Sequence, residues 1–252
     1  MTEIFILSII QGITEFLPVS SSSHLILVSE YLNFDNQSLS VDVSLHIGSF
    51  LAVVSFFHKE ILNFYKNRII FIKILISSVP VMVIGFFLIK TNLIEDIRNI
   101  KIISWTTIVF GILLYISDKC KLTNNLKNDF KFKSAITIGI FQIFSLIPGV
   151  SRSGIGITAA RLLGFNREDA TKISFLLSIP ILGAVSIHGI GNIFFSQSVD
   201  FASINIFAIL ISFLFSLITI KFFLEYIKKF NLKIFVYYRI LLGLILMYFA
   251  YL

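Results

Sequence analysis

The sequence predicts an all-α polytopic membrane protein of about six transmembrane helices plus two re-entrant helical hairpins, related as an inverted repeat. Three observations carry this expectation. Hydrophobic residues make up 56% of the 252-residue chain and charged residues 14%, with a mean hydropathy of +0.92; a globular domain is typically about 45–50% apolar and about 25% charged. The apolar residues gather into long runs, and two stretches are broken by proline, glycine and serine about half a chain apart. The single cysteine, Cys120, excludes a disulfide framework and a Cys-based zinc site. The net charge of +7 is spread between apolar segments rather than gathered in one patch, so no nucleic-acid partner is expected. The opening MTEIFILSIIQGITEF has neither a basic stretch nor a small-residue cleavage site, and no removable signal peptide is expected.

Taken in order, a short apolar piece at about 4–17 stops at Pro18 and a serine cluster, and another covers about 24–32. Unbroken runs follow at about 41–57, 69–90 and 102–117. The stretch 134–164 is interrupted by Pro148-Gly149 and Gly154, and runs at about 173–195, 203–220 and 234–251 complete the chain. The unbroken runs come close to the roughly 17–25 residues that cross a bilayer as a helix. Proline removes a helical donor and glycine loosens the backbone. Because a broken helix survives at membrane depth only beside a protein cavity or water, the interrupted stretches are expected to be re-entrant hairpins.

Basic residues set the orientation. Loops 58–68, 118–133, 165–172 and 221–233 together hold fourteen Lys and Arg; segments 1–10, 33–42, 90–101 and 196–202 hold three, all in 90–101. The first set is expected in the cytoplasm. Gln11–Ser23 (QGITEFLPVSSSS) and Gln142–Gly154 (QIFSLIPGVSRSG) align at an offset of 131, matching Gln11 with Gln142, Val19 with Val150, Ser20 with Ser151 and Ser22 with Ser153. Three spans between the copies invert the second one, and inverted repeats place their site near the midplane. Residues 1–252 are therefore read as a single integral membrane domain, with halves of about 1–117 and 134–252 joined by the basic loop 118–133.

The broken segments hold the chemistry. Gln11 and Glu15 are four apart and share a helix face. An ionisable residue in an apolar run is costly and functional by default, and an amide beside a carboxylate is an all-oxygen set suited to Mg2+ or Ca2+. Ser20, Ser21, Ser22 and Ser23 lead into a helix start, where hydroxyls and free N–H groups bind anions. His24 follows Ser21 by three residues, near enough to activate it as a nucleophile. Arg152 lies between Ser151 and Ser153, with Gly154 allowing close backbone approach, and guanidinium grips phosphate oxygens in a fork. A snorkelling or salt-bridged structural role is left open for Arg161 and Arg239 and disfavoured for Arg152 by its neighbours. This inventory suits a phosphorylated, lipid-like substrate, but spacing alone leaves phosphatase, phosphotransferase and phospholipid transporter all open.

Gln11–His24 (QGITEFLPVSSSSH) and Pro148–Gly154 (PGVSRSG) closely resemble the two signature stretches of the bacterial undecaprenyl-diphosphate phosphatase family of the bacitracin-resistance type, and Asp42–Val54 (DVSLHIGSFLAVV) is similar to what that family carries after its first motif. The resemblance covers essentially the whole chain. It implies a bacterial plasma-membrane hydrolase that removes the terminal phosphate of undecaprenyl diphosphate, recycling the lipid carrier for cell-wall synthesis and conferring bacitracin resistance. It further implies a divalent cation held by Gln11 and Glu15, and catalytic roles for Glu15, Ser21, His24 and Arg152. Phosphate binding falls to Ser20, Ser22, Ser151, Arg152, Ser153 and Gly154. The expected partners are the lipid substrate and membrane lipids, the site is expected to open to the periplasmic face, and the choice between monomer and homodimer is open. Gln11 stands where many members carry Glu, Ser23 replaces the usual glycine, and Gly156 occupies a position where a hydroxyl is common. His46 lies in the third similar stretch, where a plain packing role is favoured over indirect support of the site.

Overall fold

Helices form where the apolar runs predict them. The computed structural model describes the chain except residues 33–38, 92, 94–96, 121–123, 196–202 and 252, and the side chains of 30, 31, 39, 64, 66 and 192–195. The outer segment 196–202 and most of 33–42 therefore lie outside the described residues, as does Lys121 of the basic loop. The elements are α1 (Thr2–Thr14), α2 (Ser21–Leu32), α3 (Leu39–Phe56), α4 (His58–Leu62), α5 (Phe64–Lys90), α6 (Ile100–Asp118), α7 (Leu126–Asp129), α8 (Phe132–Ile143) with a 3-10 turn over Phe144–Leu146, α9 (Arg152–Leu162), α10 (Arg167–Phe195), α11 (Ser203–Lys229) and α12 (Lys233–Tyr251). Among the described residues, the β-structure is one isolated bridge between Asn124 and Phe165.

Five helices are long and apolar enough to cross a membrane: Asn67–Lys90 of α5, α6, Arg167–Gly191 of α10, α11 and α12. The run expected at 41–57 is α3, which counts among the shorter apolar helices with α1 and the α8 stretch. The interrupted stretches are two helix pairs, α1–α2 and α8–α9, each split at its proline. Packing repeats between the halves. α3 lies on α11 as α10 lies on α5, α1 on α11 as α8 on α5, and α6 pairs with α12. Small residues allow these approaches, as is usual where apolar helices pack without a hydrophobic drive between them. A Cβ on Gly48 of α3 would lie 2.5 Å from the Ile209 carbonyl of α11, and one on Gly139 of α8 would lie 2.5 Å from the Ser77 carbonyl of α5.

One end of the bundle is tied by charge. The Asp118 carboxylate, at the end of α6, accepts from the Arg167 guanidinium at 2.7 and 3.1 Å and from the Leu232 amide at 3.2 Å. Arg161 approaches it at 3.5 Å and donates to the carbonyls of Asp118 and Phe165 at 2.7 and 2.9 Å. Arg161 thus takes the salt-bridged structural role that the sequence leaves open for it. This knot joins the turns α6–α7, α9–α10 and α11–α12 on the side of the lysine-rich loops. At the other end the start of α6 meets the end of α12, where the Trp105 indole donates to the Tyr251 hydroxyl at 3.3 Å.

Gly48→Val tests the α3–α11 contact. The added branch meets backbone that cannot yield, so the variant should lose roughly 1–3 kcal/mol of stability. This reads as a drop of several degrees in the unfolding midpoint in detergent, and an unchanged midpoint would separate the two helices.

Candidate active site

Both breaks are built alike. After α1 the chain turns through Glu15–Val19, with the Val19 amide on the Leu17 carbonyl at 2.8 Å, and reaches Ser20 at φ 76° before α2 begins. The second break passes Gly149 at φ 93° to Ser151 at φ 73° before α9 begins. A serine at positive φ is uncommon and costly, and such strain gathers at functional sites. Here it occurs twice, at positions the 131-residue offset makes equivalent. Ser151 caps α9, its hydroxyl accepting from the Gly154 amide at 3.1 Å.

The two breaks are joined through groups from α6 and α12. Arg239 of α12 is fully buried and donates to the carbonyls of Gly149 at 2.7 Å, Thr107 at 3.3 Å and Pro18 at 3.4 Å. The Ser153 hydroxyl donates to the Leu17 carbonyl at 2.7 Å, and Thr106 of α6 donates to the Pro148 carbonyl at 2.6 Å. Among the described residues Arg239 has carbonyl rather than carboxylate partners, so neither role left open for it by the sequence describes it. Broken helices leave carbonyls without intrahelical donors, and a multi-donor guanidinium satisfies several of them at once.

The candidate groups from the two breaks meet at Glu15, which is buried just beyond α1. One of its oxygens accepts from the Gln11 amide at 3.0 Å and from the Ser21 hydroxyl at 2.6 Å; the other faces an Arg152 nitrogen at 3.2 Å. Ser21 is thus paired with Glu15 rather than with His24, contrary to the contact expected from their spacing. Helical side chains lean toward the N-terminus, and this lays the His24 ring back on the Ser20 carbonyl through Nδ1 at 2.6 Å. Its Nε2 meets the Tyr238 hydroxyl of α12 at 2.5 Å, and the rings stack 5.7 Å apart. With Nδ1–H donated to a carbonyl, Nε2 is the acceptor and Tyr238 the donor.

A cavity of about 250 Å³ is lined by Glu15, Ser20, Ser21, Ser22, Ser151 and Arg152, together with Asp42, His46 and Arg98. Gln11, His24, Ser153 and Gly154 are not among the residues that line it. The Ser153 hydroxyl serves the Leu17 carbonyl and the Gly154 amide serves Ser151, so both act on the turn rather than on the cavity. Ser23 bonds the Ser20 hydroxyl at 2.9 Å, bracing the strained residue, and a Cβ on Gly156 would lie 2.6 Å from the Gln142 side chain, leaving no room for a hydroxyl there. His46 belongs to the third family-like stretch, whereas Tyr238, Arg239 and Arg98 come from segments without a motif. Arg98's place on the side poor in cations is the signal the sequence offers for it.

For a metal, the available donors are hard oxygens. Gln11 Oε1 is buried without a hydrogen-bond partner beside Glu15, and Asp42 lines the same cavity. Among the described residues no group of three His, Cys, Asp or Glu side chains comes together, so this is no all-protein cage. Sparse carboxylate sets of this kind suit Mg2+ only where water or phosphate oxygens complete the coordination.

Arg239→Lys should abandon at least one turn carbonyl, at about 1–3 kcal/mol for each buried acceptor left unmet. The expected outcome is a clearly lower unfolding midpoint in detergent. A midpoint equal to that of the unaltered protein would remove Arg239 from its joining role.

The family described as Bacitracin resistance protein BacA matches residues 4–245. The undecaprenyl-diphosphatase of Pelagibacter ubique is 48% identical over 250 residues, covering 99% of this chain and 97% of that protein. Those of Alteromonas mediterranea and Chromohalobacter salexigens are each 39% identical, covering 99% and 96% of this chain and 98% and 96% of their own lengths. With both broken segments and their joined site inside the matched region, the chain belongs to the bacitracin resistance protein BacA family.

Proposed function

We propose that this chain is an undecaprenyl-diphosphatase, a membrane acid-anhydride hydrolase that removes the terminal phosphate of undecaprenyl diphosphate and returns undecaprenyl phosphate to cell-wall synthesis, the activity behind bacitracin resistance. The observation that carries this reading is the meeting of Ser21, Glu15 and Arg152 in one cavity: a nucleophile 2.6 Å from a base, and a phosphate fork 3.2 Å from that base. Each element of phosphoryl transfer has a residue here.

The Ser21 oxygen attacks the terminal phosphorus as its proton passes to Glu15. The bond from phosphorus to the bridging oxygen breaks, and its electron pair leaves with undecaprenyl phosphate. Water then attacks the phosphoserine, the bond from Ser21 to phosphorus breaks, and Ser21 regains its proton from Glu15 as inorganic phosphate departs. Arg152 neutralises and aligns the equatorial oxygens, while Ser20, Ser22 and Ser151 supply hydroxyls. Ser153, Gly154, His24 and Tyr238 hold the turns that present these groups. Gln11 Oε1, Glu15 and Asp42 would hold Mg2+ or Ca2+, which supplies further charge neutralisation on the phosphate.

The setting we infer is the bacterial plasma membrane, with six spans, two re-entrant hairpins in inverted halves and the cavity open to the periplasmic face. In support, the cavity is lined by Arg98, from the cation-poor side, at the bundle end opposite the Asp118 knot.

In detergent, phosphate release from undecaprenyl diphosphate should fall by roughly 100-fold to 10,000-fold in Glu15→Gln. It should fall comparably in Arg152→Lys, where charge remains but the fork is lost, and chelation should remove most of the unaltered protein's rate. Near-normal turnover in both variants would overturn the site. For sidedness, Leu93→Cys in a Cys120→Ser background should react with an impermeant thiol reagent in intact spheroplasts, whereas Asn128→Cys should react only after lysis. The opposite pattern would turn the cavity toward the cytoplasm.

A further inference from the structure

The catalytic cavity does not end at its own wall. Arg98 and Ile26 also line a second cavity of about 440 Å³, whose other walls include Ile100, Lys101 and Phe249. The two spaces are therefore neighbours across a shared pair of residues, one cationic and one apolar. The side chains behind that pair divide in the same way. Lys101 lies 5.0 Å over the Tyr251 ring, whose hydroxyl accepts from the Trp105 indole, an arrangement suited to the membrane–water boundary. Of the three cations on the side poor in them, Lys90, Arg98 and Lys101, two stand at this junction. Arg98 is exposed and lines both cavities, and a guanidinium in such a place can offer its planar fork to phosphate oxygens.

Given the phosphatase reading, on which this step rests, the anion can be named by its chemistry. A prenyl diphosphate carries a second phosphate, one bridging oxygen away from the one that is removed, and an isoprenoid chain that must reach the bilayer. We propose that Arg98 binds the lipid-linked phosphate, the one that stays on the carrier, and that the second cavity is where the isoprenoid chain passes over Ile26, Ile100 and Phe249 out of the site. Arg152 and Arg98 then divide the substrate between them. Only a diphosphate places one phosphate at each arginine with phosphorus before Ser21; a monophosphate rests at Arg98, and hydrolysis stops after one phosphate. Arg98 is thus a residue that sets specificity and binds product, distinct from the group that supports the chemistry at Ser21.

The test uses the purified full chain in detergent, with undecaprenyl diphosphate as substrate and two inhibitors, undecaprenyl phosphate and inorganic phosphate. Arg98→Gln should raise KM roughly tenfold or more, as expected for a lost charge-assisted bond, while kcat changes by less than about threefold. Inhibition by undecaprenyl phosphate should weaken by a similar factor, and inhibition by inorganic phosphate, which takes the Arg152 position, should stay as it was. Ile26→Trp, which fills the passage, should raise KM for undecaprenyl diphosphate more than for farnesyl diphosphate. An unaltered protein that releases no phosphate would overturn the phosphatase reading itself. With that activity present, unchanged KM and undecaprenyl phosphate inhibition in Arg98→Gln would overturn this inference alone. So would a collapse of kcat at constant KM, or an equal loss of inorganic phosphate inhibition, because either would place Arg98 at the terminal phosphate.

Discussion

The site depends on a buried guanidinium that binds carbonyls instead of a carboxylate. Breaking a helix frees backbone groups, and in a low-dielectric interior each unmet one is costly. Arg239 takes the Pro18 and Gly149 carbonyls, one from each break, and a third from Thr107 of α6. With the Ser153 bond to the Leu17 carbonyl, it fixes the distance between two turns that are far apart in sequence. Ser20 and Ser151 can then hold positive φ, because the surroundings determine their conformation more firmly than their own preference does. The short contacts of Glu15 with Ser21 and Arg152 follow from that placement.

The two halves share a backbone and have parted in chemistry. At the offset of 131, Ser21 corresponds to Arg152 and Glu15 to Leu146, so the proposed nucleophile and the proposed phosphate fork occupy equivalent places in the two copies. Gln11 and Gln142 correspond as well, and each is buried with its Oε1 unpartnered. Their amide nitrogens differ: Gln11 donates to Glu15, while Gln142 reaches the Arg152 carbonyl at 3.5 Å. A symmetric pair of turns thus brings an acid-and-hydroxyl side against a cationic side, the asymmetry that transfer of a phosphoryl group needs.

Much of this could be read before any coordinates. Long apolar runs located the helices, and Pro18 and Pro148-Gly149 located the breaks, because helix length and proline chemistry are local. Glu15, Ser21 and Arg152 stood out as polar groups where burial is expensive. Other features were not legible. The spacing of Ser21 and His24 allowed a contact that side-chain direction and Tyr238 redirect. Ser153 and Gly154 looked like phosphate ligands but satisfy the turn. Tyr238 and Arg239 reach the site from α12, more than two hundred residues after the first motif, and no local pattern announces a tertiary contact of that range.

Charge balance along the bundle links stability to function. At the Asp118 end, the carboxylate answers Arg161 and Arg167, and the loops are closed together. In the cavity Glu15 answers Arg152, which leaves Arg239 behind it without a carboxylate among the described ion pairs and Arg98 exposed at the mouth. Gln11, standing where many family members carry Glu, removes a further negative charge. On the cavity wall itself Asp42 stands with Glu15 and Arg98 with Arg152, so carboxylates and guanidiniums are matched there. Under the proposed phosphatase reading the arginines would answer the phosphates and the carboxylates a divalent cation, and Coulomb attraction between such opposed charges strengthens as water is excluded.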